Sequence, residues 1–178
     1  DLTRVRQAEQ AGLVAREIDI LFPAGGDGKA LDQALEEVFK KAEEEIADGA
    51  TVLILTDRRM DKRHAPIPSL LATAGLHHHL TRRGLRTEAG IIVDSGEVRE
   101  VMHFALLVGY GASAICPRVT FGTIRQMAED GLIEVKPEEA MDNYITAIKK
   151  GLLKTFSRMG ISTVRSYFGA QIFEAVGL

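Results

Sequence analysis

Apolar positions along the chain follow two alternating periods. Between Ala30 and Asp48, Leu31, Ala34, Leu35, Val38, Ala42 and Ile46 recur on one stripe, with glutamates and lysines opposite. That spacing predicts an amphipathic helix, and Gly49 stops it. Thr51 to Leu55 is then a short apolar run rich in β-branched residues, flanked by Gly49 and Asp57. Such a run predicts a strand buried on both faces, as in a parallel sheet.

The alternation repeats down the chain. Helices are predicted over Pro66–Arg83, Glu97–Val108, Thr120–Glu129 and Glu138–Met159, and strands over Ala89–Val93, Ala112–Cys116 and Ile161–Arg165. A further strand is predicted at the front, Glu17–Phe22, and a last turn or two of helix over Ala170–Ala175. Strand–helix alternation forces parallel pairing through crossover helices. The predicted fold class is therefore α/β, with parallel strands alternating with helices. A doubly wound sheet and a partial (β/α) barrel remain equally open on pattern alone. No linker, repeat or low-complexity tract divides residues 1–178, so a single domain is expected.

Composition narrows the function classes. The 178 residues carry 22 Lys plus Arg against 25 Asp plus Glu, a net charge of −3, so phosphate attraction cannot drive nucleic-acid binding. No apolar run approaches the roughly 20 residues of a membrane span, and a cytoplasmic protein is expected. The one cysteine, Cys116, excludes an internal disulfide or an all-cysteine metal or iron–sulfur site in this chain. Its apolar flanks mark it as a small buried hydrophobe. Asp1 is not an initiator methionine and Leu178 closes an apolar stretch, so a piece of something longer is expected.

In parallel α/β folds the strands' C-terminal ends share one rim, where sites are built. Directly after the predicted strands stand Asp57 and Arg58, then Asp94, Ser95 and Glu97, then Arg118, then Ser166 and Tyr167. Asp57, Arg58, Asp94, Ser95, Glu97 and Arg118 are the candidate polar rim. They suit a polar ligand or a neighbouring domain. They also suit a plainer reading, in which Asp94, Ser95 or Glu97 caps the next helix and Asp57 pairs with Arg58, since caps are the usual occupants of strand-to-helix turns.

Other candidates carry less. Gly25-Gly26-Asp27-Gly28-Lys29 precedes a helix but lacks the Gly-Lys-Ser/Thr ending of a phosphate loop and any G-x-G-x-x-G run, so an exposed flexible loop is expected. His77, His78 and His79 are adjacent on a helix and point about 100° apart, so three cannot converge on one ion. His64 and His103 stand alone. Glu43, Glu44 and Glu45 form a solvated helix face, and no Ser lies in a G-x-S-x-G elbow. No catalytic, cofactor or metal residues are assigned from the residues themselves.

The wording of several segments adds a resemblance. Leu53-Ile54-Leu55-Thr56-Asp57-Arg58, Ala65-Pro66-Ile67-Pro68-Ser69-Leu70-Leu71-Ala72 and His77-His78-His79-Leu80 resemble the central domain of glutamate synthase. So do Asp94-Ser95-Gly96-Glu97-Val98-Arg99-Glu100-Val101, Gly109-Tyr110-Gly111-Ala112, Arg158-Met159-Gly160-Ile161-Ser162-Thr163 and Gly169-Ala170-Gln171-Ile172-Phe173-Glu174-Ala175. The matches run in order through nearly the whole chain. Thr56 and Asp94 stand where Ser and Glu would be expected, a mild departure.

The resemblance implies the later part of that domain, within an oxidoreductase of nitrogen assimilation, cytoplasmic or in the plastid stroma. A glutaminase domain there releases ammonia from glutamine through an N-terminal cysteine. A (β/α) barrel domain carrying FMN and a three-iron 3Fe-4S cluster condenses that ammonia with 2-oxoglutarate, and reduced FMN completes glutamate. Electrons come from a pyridine nucleotide through a partner subunit, or from ferredoxin. The resemblance implies no cofactor in this chain itself, because no nucleophilic cysteine, three-cysteine motif, or FMN- or 2-oxoglutarate-binding segment carries over. Its expected role is a connecting one between the two catalytic domains. The alternatives are a free-standing α/β domain with a small-molecule site on the polar rim, or an anion- or flavin-binding module using Gly25 to Lys29.

Overall fold

The computed structural model describes residues 2–6, 12–170 and 172–174. Its centre is β3 (Val52–Thr56), all five residues of which are buried. On one side β3 pairs in parallel with β1 (Ala15–Asp19), on the other with β5 (Gly90–Ser95), and β5 pairs in parallel with β6 (Ala114–Pro117). The sheet order is thus β1-β3-β5-β6. A strand flanked on both edges and covered on both faces has no use for polar side chains, which explains the apolar run that marks β3 in the sequence.

The connections are helical. α2 (Gly28–Ala47) precedes β3, α3 (Ser69–Arg83) leads to β5 and α4 (Val101–Gly109) leads to β6. Alternate strand residues Ile18, Leu53, Leu55 and Ile91 pack with Val38 and Phe39 of α2 and with Ala72, Leu76 and Leu80 of α3. Val93 packs with Phe104 and Leu107 of α4 and Ile148 of α6 (Pro137–Arg158). On the opposite face Val52, Ile54 and Ile92 meet Leu2 and Val5 of α1 (Leu2–Arg6). α5 (Arg118–Glu129) follows β6 directly, and α6 packs against both α4 and α5.

Most predicted elements are present with boundaries shifted by a few residues, and the exceptions have physical causes. The front strand is two strands. Ile20 donates its N–H to the Thr56 carbonyl, while its own carbonyl accepts from Ile67. Beyond it the chain leaves the sheet and forms β2 (Leu21–Pro23), antiparallel to β4 (His64–Pro66). Pro66 therefore belongs to β4, and α3 begins at Ser69. α4 begins at Val101 instead of Glu97, because Gly96 to Glu100 forms a turn from which Glu97 reaches back to α3.

The strand predicted over Ile161–Arg165 does not form. Thr163 caps a four-residue helix, α7 (Val164–Tyr167), by accepting from the Ser166 N–H. Ile161 packs in a cluster with Phe156 and Tyr167. A threonine that caps a turn thus outweighs the β-branched composition of that stretch. The helix predicted over Ala170–Ala175 is also absent at Ala170 and over 172–174, and its positions 171 and 175 lie outside the described residues.

Candidate functional site

The strand register sets the rim. Thr56 pairs with Asp94 and Asp94 with Cys116, so Asp57, Ser95 and Pro117 leave the sheet at one level. Arg118 comes next as the first residue of α5. The six residues singled out from the sequence are therefore brought to one edge. Ser166 and Tyr167 are not among them, because α7 follows no strand.

The two aspartates of this edge are buried, Asp57 at 2% exposure and Asp94 at 0%, while Glu97 is exposed. Charges so placed persist only when paired and hydrogen-bonded. Asp57 forms an ion pair with Arg118 and accepts from the Ser95 hydroxyl at 2.8 Å and the Gly96 N–H at 2.9 Å. Asp94 is gripped by the Nε and Nη2 of Arg58 and accepts from the Thr56 hydroxyl at 3.4 Å. Arg118 joins the two halves, its Nε lying 3.6 Å from Asp94. The hydrogen bond to Asp94, opposed by burial, raises the Arg58 guanidinium further above its already high range, so it stays cationic.

Ser95 has a second function, accepting from the Glu97 N–H at 3.1 Å. That turn directs the Glu97 carboxylate to the Ser69 N–H, 2.8 Å away, at the start of α3. No α3 residue supplies a side-chain cap, and Pro68 at the cap position cannot. A carboxylate at a helix N-terminus satisfies an orphan donor and suits the dipole. The groups thus converge and neutralise one another, but Asp57 pairs with Arg118 and not with Arg58, whose partner is Asp94, and Glu97 caps the preceding α3 and not the helix that follows.

The other candidates disperse. Asp27 caps α2 by accepting from Ala30 at 3.1 Å, and Gly25 takes a positive φ of 80°, so the glycine-rich loop shapes a turn. His79 is 2.6 Å from Glu43 and stacks on Phe39, both on α2. Arg83 first, then His79, holds the Glu43 carboxyl below its usual range, and these partners take Glu43 out of the solvated face expected for it. His77 faces elsewhere, accepting at Nδ1 from Arg86 at 2.9 Å. Burial first, then the charges of Arg86 and His78, lowers its pKa to about 4. Among the described residues no three His, Cys, Asp or Glu side chains are placed to hold a metal ion.

Two features escape a reading of the sequence alone. Arg86 forms a latch: besides His77 it donates to the carbonyls of Ala89 at 2.8 Å and Gly111 at 2.9 Å, and its guanidinium lies 5.1 Å from the Phe168 ring centroid. Gly111, at φ 107°, was the available signal, since a β-carbon there would sit 2.3 Å from His77 Nδ1. The second is an apolar groove of about 450 Å³ beside β6, with Cys116 on its floor and Lys149 its one charged lining residue. Burial, then the negative charge of Asp94, pushes the Cys116 thiol up, which keeps it protonated and unreactive.

Comparison with known proteins places this geometry. Residues 1–178 match the family of the glutamate synthase central domain. The chain belongs to that family. It is 49% identical over 166 residues to the NADPH glutamate synthase large chain of Bacillus subtilis, covering 93% of this chain and 11% of that protein. It is 41% identical to ferredoxin-dependent glutamate synthase 2 of Synechocystis, covering 97% and 12%, and 39% identical to the NADH enzyme of Saccharomyces cerevisiae, covering 91% and 8%. The chain therefore spans about a tenth of the length of these relatives. Among solved structures it is similar to flavocytochrome b2 with sulfite bound, at a TM-score of 0.62 and 13% identity over 99% of this chain and 53% of that one. A DHODH complexed with ferulenol, from Eimeria tenella, matches at a TM-score of 0.50, 16% identity, and 80% and 36% coverage. These two likenesses concern the fold alone, parallel strands alternating with helices, as expected.

The single cysteine of this chain cannot by itself supply a three-cysteine iron–sulfur cluster, and Asp27 of its glycine-rich loop is engaged as the cap of α2. No described helix is long and apolar enough to cross a membrane.

Proposed function

We propose that this chain is a connecting domain of a glutamate synthase. It holds an ammonia-releasing glutaminase domain and an FMN- and 3Fe-4S-bearing synthase domain in register and performs no bond-making step itself. The gain is one of proximity, since ammonia passed between fixed sites reacts before it escapes to solvent. The wider assembly would take electrons from a pyridine-nucleotide-binding subunit or ferredoxin, in the cytoplasm or a plastid.

The observation that carries the reading is the closed rim, together with the family match. Where sites in parallel α/β folds are usually built, Asp57 and Asp94 are each paired with an arginine, the one buried donor left without a hydrogen bond there, Arg118 Nε, points at Asp94 from 3.6 Å, and Glu97 caps a helix. A receptive site would instead aim unsatisfied donors or acceptors outward.

The test is made in the complete enzyme. Arg58→Gln and Ser95→Ala are expected to leave the KM for glutamine and for 2-oxoglutarate within about twofold, with any loss of rate tracking lost folded protein. A fall in kcat on the order of 100-fold in folded enzyme would assign the rim to the chemistry instead. Saturable FMN or phosphate binding abolished by either change would favour a small-molecule site there.

A further inference from the structure

The groove beside β6 runs along the edge of the sheet. β6 pairs only with β5 among the described strands. Ser113 donates its N–H to the Ile91 carbonyl at 2.7 Å, and strand alternation then turns Ile115 toward β5 and the backbone groups of Ala114 and Cys116 away from it. The groove is walled by Leu2 and Val5 of α1 on one face of the sheet and by Phe121, Tyr144 and Ile148 of α5 and α6 on the other. Both flanking layers thus extend past the last strand. A slot with apolar walls above and below, floored by outward N–H and C=O groups, has the shape of a place for one more strand. A compact small molecule would cover the walls but leave the backbone groups unmatched, whereas a strand satisfies both.

We propose that β6 is extended by an extended segment with apolar side chains on both faces, supplied by glutamate synthase polypeptide beyond this chain. The relatives' length argues for that source, since nine-tenths of each lies outside the matched region. So does the parallel architecture, whose strands are covered on both faces and rarely left as long bare edges. The inference rests on the proposed place of this chain inside a larger glutamate synthase, and its test is independent of the rim substitutions.

Hydrogen–deuterium exchange on the intact enzyme reads it without a variant. The Ala114 and Cys116 amides are expected to exchange on the order of 100-fold slower than unprotected amides, matching Ile115. Exchange at the unprotected rate overturns the proposal even if the rim variants behave as expected. Incorporation of p-benzoylphenylalanine at the exposed Ala114 position in the same enzyme identifies the occupant. A photoadduct to a peptide outside residues 1–178 supports the proposal. Adducts confined to residues 1–178, whose α1, α5 and α6 side chains wall the groove, or no adduct at all, contradict it.

Discussion

His77 shows how much one side chain depends on its setting. It accepts from Arg86 at Nδ1, so the proton of the neutral ring sits on Nε2. Its folded pKa of about 4 lies below the ordinary 6.5, so the unfolded chain binds the extra proton first as pH falls. Its stabilising contribution is complete above about pH 6.5 and is lost as pH drops towards 4. Because the ring is partly solvated, about 1 kcal/mol is expected. Urea unfolding of the chain at pH 7 and pH 5, with and without His77→Gln, reads the difference, which should shrink at the lower pH. Gly111→Ala should cost more, about 2–4 kcal/mol, because it combines a positive φ with a collision against His77. Gly131→Ala, at a positive φ in open space, should cost about 1 kcal/mol in the same titration. In the rim, Arg118→Met should destabilise by about 2–3 kcal/mol, because it leaves buried Asp57 without its cation. Adding Asp57→Asn should recover part of that loss, a coupling of about 1–3 kcal/mol in a double-mutant cycle. That these six rim residues converge was legible from their positions just past the strand ends. Pairing among them was legible as one reading, but not its partners, since the sequence contains no record of which arginine reaches which carboxylate.

At the scale of elements, legibility depends on environment. β3 and the stripe of α2 could be read because burial on two faces or on one stripe forces a simple period. β2 and β4 were hidden, being three residues each and held mainly by one another. α7 was misread because Ile161, Thr163 and Val164 have strand composition while Thr163 caps a turn. The start of α3 depends on a residue 28 positions away, since Glu97 accepts from Ser69. No local signal marks such a cap. Glu97→Ala should cost about 1 kcal/mol of stability in a denaturant titration, while Asp27→Ala, removing the local cap of α2, should cost a similar amount.

For the whole molecule, the parallel strands, their covering helices and the mutually paired rim are consistent with the proposed connecting role. Family membership was legible from ordered motifs, whereas the groove beside β6 arises only where α1, α5 and α6 meet an edge strand in three dimensions. The Arg86 latch ties α3, the turn at Gly111 and Phe168 together and lies away from the rim, so its removal can loosen the domain without touching the charged network. The most direct measurement is therefore the balance of partial activities in complete, folded glutamate synthase carrying Arg86→Ala. A connecting role predicts that glutamine hydrolysis and synthesis from added ammonia persist, while glutamine-dependent synthesis falls and free ammonia accumulates. Glutamine-dependent synthesis undiminished despite a loosened domain, or loss of synthesis even from added ammonia, would contradict it.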